Sequence, residues 1–242
     1  MDRQRFLESC ARAKNERKEI NGIGTLGEKT LHSVIKAYYS SDVDKQEMKI
    51  GKYIADIVDD RGIIEIQTRG FDKLRKKLEE FLKISAVTIV YPIPKIKWIL
   101  WIEGSSGKTT KRRRSPKTGS YYDVFFELYK IKWYLSDKNI RIHILMLEIE
   151  EYRNLDGWSD DGKKGSSRNE RIPLDIIEEL HIENIDDYKK LLPPDLPESF
   201  TSTDFKRSSG LGMRDSQIAL KILSDLGVIK RTGKRGNLII YS

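Results

Sequence analysis

Cysteine is almost missing from this chain of 242 residues: Cys10 stands alone. No intrachain disulfide can form, and no multi-cysteine metal site can be built. A single thiol fits a reducing cytoplasm, which is the expected location, and Cys10 itself reads as a packing residue in a helix. Histidine is scarce too, with three residues. Long apolar runs are lacking, so no membrane span is expected. The opening Met1-Asp2-Arg3-Gln4-Arg5 lacks the apolar stretch of a signal peptide. Of seven prolines, three fall in Pro193-Pro194-Asp195-Leu196-Pro197, a stiff linker and the best domain boundary.

Charge is what the chain has in abundance. Charged residues make up 34% of it and the net charge is +8. A basic balance favours polyanionic partners such as nucleic acid. The hydrophobic share, 38%, suffices for a packed core.

The periodicity of apolar residues predicts helices over 2–20 and from Thr25 to about 40. A β-hairpin follows, with Met48 to Val58 and Ile63 to Gln67 flanking Asp59-Asp60-Arg61-Gly62. Next come a helix near 71–83, a buried strand at 86–91, a strand at 96–102, a basic loop at 104–120, a helix at 121–135 and a strand at 140–149. Residues 154–170 read as a polar loop, and 172–192 as a short helical stretch and connector. The expected fold is α/β, a mixed sheet flanked by helices. Its expected divisions are an N-terminal helix (1–24), a core (25–152), a loop and linker (153–197) and a small C-terminal module (198–242).

The hairpin carries the most informative residues. A turn symmetric about Asp60 and Arg61 sets Val58 against Ile63, Ile57 against Ile64, and Asp56 against Glu65. Opposed side chains share one face, with Cβ atoms about 4.5–5.5 Å apart. Gln67, two residues on, shares that face. Two carboxylates so placed among apolar neighbours repel each other. A hard divalent cation such as Mg²⁺ relieves the repulsion, taking one or two carboxylates and completing its shell with water and phosphate. Such an ion polarises a phosphate oxygen and activates a water.

This order of elements, with Asp56 on one strand and Glu65-Ile66-Gln67 on the next, resembles the PD-(D/E)XK nuclease superfamily over roughly residues 25–150. The resemblance implies a restriction-endonuclease-like core and Mg²⁺- or Mn²⁺-dependent hydrolysis of phosphodiester bonds in DNA. It implies Glu28, Asp56 and Glu65 as metal ligands, Glu28 lying on the preceding helix. Gln67 stands where the family usually has Lys, and would orient water or phosphate by hydrogen bonds without supplying charge. Some branches draw the Lys from the next helix, where Lys77 is the candidate; the plainer alternative is a boundary lysine extending to solvent. More narrowly, Glu65-Ile66-Gln67-Thr68-Arg69-Gly70-Phe71, Val90-Tyr91-Pro92-Ile93 and Arg112-Arg113-Arg114-Ser115-Pro116-Lys117 look like an uncharacterised bacterial family of nuclease-like proteins.

Lys108, Lys111, Arg112, Arg113, Arg114 and Lys117 form a basic loop suited to backbone phosphate, which positions a protein without reading sequence. Gly104-Ser105-Ser106-Gly107-Lys108-Thr109-Thr110 lacks the spacing of a phosphate-binding loop, so ATP binding is not expected. Trp158 to Gly165 departs from an EF-hand loop. His32 shares a helix face with Glu28 and reads as a boundary residue. His143 and His181 make no zinc constellation with the single cysteine.

The C-terminal module shows a capped helix entry at Phe200 to Phe205, an amphipathic helix from Arg214 to Leu226, and a basic hairpin from Val228 to Tyr241. Its ending resembles winged-helix domains, in which the helix before the wing enters the major groove. The resemblance implies Arg214, Asp215, Ser216 and Gln217 near base edges, and Lys230, Arg231, Lys234 and Arg235 on phosphates. The expectation is therefore a Mg²⁺-dependent DNA endonuclease targeted by a winged helix. Cutting both strands of a duplex would take two sites, which suggests a homodimer, although no residue demands one. The alternative, kept open by Gln67, is a non-catalytic DNA-binding or regulatory protein on a degenerate nuclease scaffold. An RNA-directed nuclease or processing factor is a third, weaker option.

Overall fold

Gly62 fixes the turn on which the central sheet is built. The computed structural model describes residues 2–19, 29–102, 109–158 and 164–242. Gly62 has φ +113°, and a Cβ there would lie 2.4 Å from the Ala86 carbonyl oxygen, so only glycine fits. The flanking strands are β2 (Tyr53–Asp59) and β3 (Gly62–Ile66), antiparallel, with Ile57 opposite Ile64 and Val58 opposite Ile63. This is the register read from the sequence. The first arm is not one strand, however. Gly51, at φ +59°, turns the chain between β1 (Gln46–Ile50) and β2.

Element order continues with a 3-10 turn (Phe71–Leu74), α3 (Arg75–Phe81), β4 (Val87–Ile102), β5 (Arg113–Arg114), α4 (Val124–Lys130), β6 (Ile140–Trp158) and β7 (Lys164–Ile182). Ahead of these lie α1 (Arg3–Glu19) and α2 (Lys29–Tyr39). After them come a 3-10 segment (Ile185–Leu191), α5 (Ser202–Ser209), α6 (Met213–Asp225), β8 (Arg231–Arg235) and β9 (Leu238–Tyr241). Among the described residues seven strands form one sheet, in the order β1-β2-β3-β4-β6-β7, with β5 on β4. Because β3 and β4 are parallel while β2 and β3 are antiparallel, the sheet is mixed. The fold is thus α/β, a large mixed sheet flanked by helices.

The chain forms two compact units, to both of which β4, β6 and β7 contribute. The first comprises residues 1–48, 92–119 and 145–179. In it α1 and α2 pack together, Phe6 meeting Tyr38 edge-on at 5.4 Å. Tyr38 donates its hydroxyl to Glu179 at 2.6 Å, and Thr30 donates to Glu170 at 2.6 Å. The second comprises residues 49–91, 120–144 and 180–242. Ile57, Ile63, Leu78, Phe81, Val87, Ile89, Phe125 and Leu128 are fully buried there. A 3-10 turn (Tyr121–Asp123), capped by a capping box of Ser120 and Asp123, leads into α4. Its buried Glu127 accepts the Phe71 N–H at 2.8 Å, fixing the entry to α3.

The strands expected separately at 86–91 and 96–102 run as one, β4, because Pro92 and Pro94 fit within the extended backbone instead of ending it. Other stretches differ from their expected structure too. Residues 154–158 and 164–170, expected in a loop, are strand, and residues 172–182, expected to open a helical stretch, continue β7. The polar composition misleads because charges on neighbouring strands compensate one another there, as Glu151 does with Arg168 and Arg171. Helical turns appear only at Ile185–Leu191. Likewise part of the basic loop is ordered: Arg114 pairs with Trp98 and Arg113 with Ile99.

Candidate metal centre and nucleic-acid surface

At Asp56 and Glu65 the hairpin ladder gives way to side chains. The Asp56 N–H points to the Glu65 Oε1 at 3.4 Å, and the Ile66 N–H donates to the Asp56 Oδ2 at 2.7 Å. Each carboxylate therefore reaches across to the opposite strand, and both end in the same gap. Asp56 is half-buried, whereas Glu65 is buried within a strand whose every residue is inaccessible. The third member comes from α3: the Lys77 Nζ donates to the Glu65 Oε2 at 2.8 Å. Lys77 is partly exposed and brings positive charge to the mouth of the gap.

The electrostatics follow from this placement. Burial pushes the Glu65 carboxyl up to about 7, and the negative charge of Asp56 adds to the rise, while the hydrogen bond and charge of Lys77 oppose it. One ammonium does not offset both burial and a second carboxylate. The donor set, two carboxylates in one gap with surplus negative charge, fits a hard divalent cation.

Gln67 is near this group in sequence but its side chain turns elsewhere. Its amide nitrogen donates to the carbonyl oxygens of Arg69 at 2.5 Å and Gly70 at 3.4 Å, bracing the bend before the 3-10 turn. Its backbone N–H continues the pairing with β4, at Val90. The amide oxygen is the atom it can offer outward. Glu28 lies outside the described residues, as do Lys108 and residues 159–163. His32, on α2, is half-buried.

In the basic segment Lys111, Arg113, Arg114 and Lys117 are exposed. Arg112 lies over the Trp98 ring at 4.0 Å and pairs with Glu148 at 3.4 Å and Glu150 at 3.3 Å. Its charge is thus shared with two carboxylates of the first unit.

The C-terminal residues belong to the second compact unit. There α6 packs on α4 and α5, and Phe205 meets the rings of Phe125 and Tyr122 at 6.3 and 6.4 Å. Arg214 and Gln217, on the first turns of α6, are exposed, as are Lys230, Arg231, Lys234 and Arg235 along the hairpin of β8 and β9. Ser216 departs from expectation. It is fully buried and its hydroxyl donates to the Gly212 carbonyl at 2.9 Å, one turn back, so it faces the helix packing rather than a ligand.

One group escaped the sequence reading. His143 on β6, His181 on β7 and Glu183 bring potential ligand atoms within 4.8 Å of one another. Only the adjacency of β6 and β7, which was not foreseen, would have paired the histidines. Their rings stack 3.9 Å apart at 5°, so their ring planes run parallel, and Glu183 bonds His143 at 2.6 Å and Arg141 at 3.3 Å. Parallel rings aim their nitrogens side by side rather than at one point, and Arg141 already serves the carboxylate as a cation.

A protein of Treponema pallidum (strain Nichols), described as an uncharacterized protein, is 28% identical over 226 residues, covering 90% of this chain and 86% of the relative. No solved structure matches significantly. A family match runs over residues 29–183, from α2 through the end of β7, and takes in Asp56, Glu65, Gln67 and Lys77. That span exceeds half of the sequence, and the chain belongs to the family described as Domain of unknown function (DUF8091).

Proposed function

We propose that this protein is a metal-dependent nuclease that hydrolyses phosphodiester bonds in DNA. The observation that carries the reading is the convergence of Asp56, Glu65 and Lys77: a buried carboxylate beside a second one, with an ammonium from the following helix 2.8 Å away. The order α2, β1, β2, β3, α3, β4, with β3 and β4 parallel, supports an endonuclease-like core of the PD-(D/E)XK kind. Two helices followed by a basic hairpin support a winged helix that targets DNA.

Asp56 and Glu65 would hold Mg²⁺ or Mn²⁺. The ion, when bound, would polarise the scissile phosphate and lower the pKa of an attacking water. The protein's own residues do the rest. Lys77 balances charge that accumulates on the phosphate oxygens as the bond breaks, taking the part of the usual Glu-x-Lys lysine. The apolar walls of β2 and β3 exclude bulk water from Glu65 and strengthen every charge interaction at the gap. Gln67 holds the bend that follows β3 and presents its amide oxygen to a water.

The engagement of the Gln67 amide with Arg69 and Gly70 favours a second reading, a non-catalytic DNA-binding protein on the same scaffold. Incubation with DNA and Mg²⁺ separates the two. Nicking by the native protein and none by Asp56→Ala is the expected result. Metal-independent binding without cleavage, across supercoiled, linear, branched and single-stranded substrates, would favour the second reading.

A further inference from the structure

One side of α4 and of the turns after it carries aromatic rings that the fold leaves in solvent. The other side packs inward, with Val124, Phe125, Leu128 and Ile131 fully buried. Phe126, Tyr129 and Trp133 follow one another at spacings of three and four residues, which sets them on the outer side. They are 46%, 36% and 79% exposed. Lysines lie against these rings. The Lys132 Nζ is 4.7 Å from the centre of the Tyr129 ring and 4.5 Å from that of Trp133, so one ammonium joins the two. The Lys130 Nζ lies 4.5 Å over Phe126, and it also pairs with Glu127 at 2.8 Å and Asp72 at 3.9 Å. Arg75 anchors the group: its Nε donates to the Lys130 carbonyl at 2.6 Å and ties the end of α4 to the start of α3. The aromatic side is thus built on the pair of helices that positions Lys77 at Glu65, within the same compact unit.

Rings so exposed add little to folding, because the hydrophobic gain scales with the area removed from water. The lysines decide what such a surface accepts. The centre of a protein–protein interface is depleted in lysine, whereas here a lysine lies against every one of the three rings, which disfavours a dry protein contact. A nucleic-acid strand answers to both features at once. Its bases stack on aromatic rings, and its phosphates meet the ammonium groups beside them. The net charge of +8 has the sign that draws a polyanion. Stacking on protein rings takes unpaired bases, since a duplex covers the faces of each base with its neighbours.

We propose that Phe126, Tyr129 and Trp133, with Lys130 and Lys132 beside them, form a stacking platform for the bases of single-stranded DNA. This rests on the nucleic-acid reading above, but not on cleavage, and it names the substrate class as a strand with unpaired bases. The platform is separate from the basic segment and from the hairpin of β8 and β9, and lies within the span of the family match. Because every base has a flat face, it binds without regard to base sequence.

The test is binding of a fluorescein-labelled DNA single strand, of the duplex of the same length and of an abasic strand of that length to the full chain, at several salt concentrations and without divalent ions. The native protein is expected to bind the single strand about tenfold or more tighter than the abasic one. In Tyr129→Ala/Trp133→Ala, single-strand affinity is expected to fall about tenfold or more, while duplex affinity and the slope of log K against log salt stay native, since no cation is removed. Thermal melting checks that the variant is folded; where it is not, Trp133→Ala alone decides, with a loss of about fivefold or more. A folded variant that keeps its single-strand affinity overturns the proposal, as do equal losses on single strand and duplex, or equal native affinity for normal and abasic strands. Each of these leaves the nuclease reading to the cleavage assay with Asp56→Ala. Native protein that binds no oligonucleotide overturns both, as does binding confined to anionic lipid vesicles.

Discussion

The Lys77 ammonium lies 2.8 Å from the Glu65 carboxylate, although twelve residues separate them in sequence and they stand on different elements. The contact exists because Phe71, Leu74, Leu78 and Phe81 bury one face of the segment leading through α3, which turns Lys77 along the flank toward β3. Replacing Lys77 with Met removes a positive charge that opposes the rise at Glu65. Cleavage by Lys77→Met is expected to fall about 100-fold or more in single turnover, while Lys77→Arg retains part of the rate. Equal loss in both variants would deny the lysine a charge-balancing role.

The raised Glu65 carboxyl sets a pH dependence with a definite sign. In the folded, metal-free protein it titrates at about 7, against an ordinary value of 4.5, so between these values the folded state binds more protons than the unfolded one. Stability therefore falls as pH rises through that window, by on the order of 3 kcal/mol, and levels off above it. Denaturant titrations across the window measure this. Glu65→Gln is expected to flatten the slope and to be more stable than the native protein on the alkaline side, while losing cleavage. Such a gain in stability at the expense of activity marks a site kept for function.

Much of the hairpin was legible in the sequence. The register summing Ile57 with Ile64 followed from turn chemistry and apolar alternation, and it is the register of the structure. Lys77 was a candidate because the family resemblance allowed a lysine from the next helix and helical periodicity put this one on the flank of α3, with a solvent-facing boundary lysine as the plainer alternative. Other features were not. The turn at Gly51 hid inside an apolar-polar alternation that continues through it. The far end of β6 and the start of β7 read as a polar loop at 154–170, because a charge such as Arg168 looks solvated until a neighbouring strand supplies its partner, here Glu151. The fate of Gln67 depended on local carbonyls that no spacing rule reveals, and the burial of Ser216 on packing between α6 and its neighbours.

Glu127 ties α4 to the start of the 3-10 turn through the Phe71 N–H at 2.8 Å, and pairs with Lys130 at 2.8 Å. Both Glu127 and Phe71 are buried, so removing the acceptor leaves a backbone donor unsatisfied. Glu127→Ala is expected to destabilise by about 1–3 kcal/mol in urea unfolding. Unchanged stability would mean that water reaches the Phe71 amide.

The hairpin of β8 and β9 offers exposed cations with no packing duty. Lys234→Ala combined with Arg235→Ala is expected to leave the melting temperature unchanged, because both side chains are exposed. DNA affinity should drop, with the salt slope shallower by about 2. Full retention of both would remove the hairpin from the DNA surface.

The central claim is that Asp56 and Glu65 hold one divalent ion. Iron(II) with ascorbate and hydrogen peroxide reads this directly, because iron(II) seated in a magnesium site reduces peroxide to hydroxide and a hydroxyl radical that cuts the nearby backbone, while ascorbate returns the iron to the ferrous state. Fragment mapping is expected to show scission within β2 and β3, suppressed by excess Mg²⁺ and absent in Asp56→Asn. Scission elsewhere, or the same fragments from Asp56→Asn, would contradict the claim.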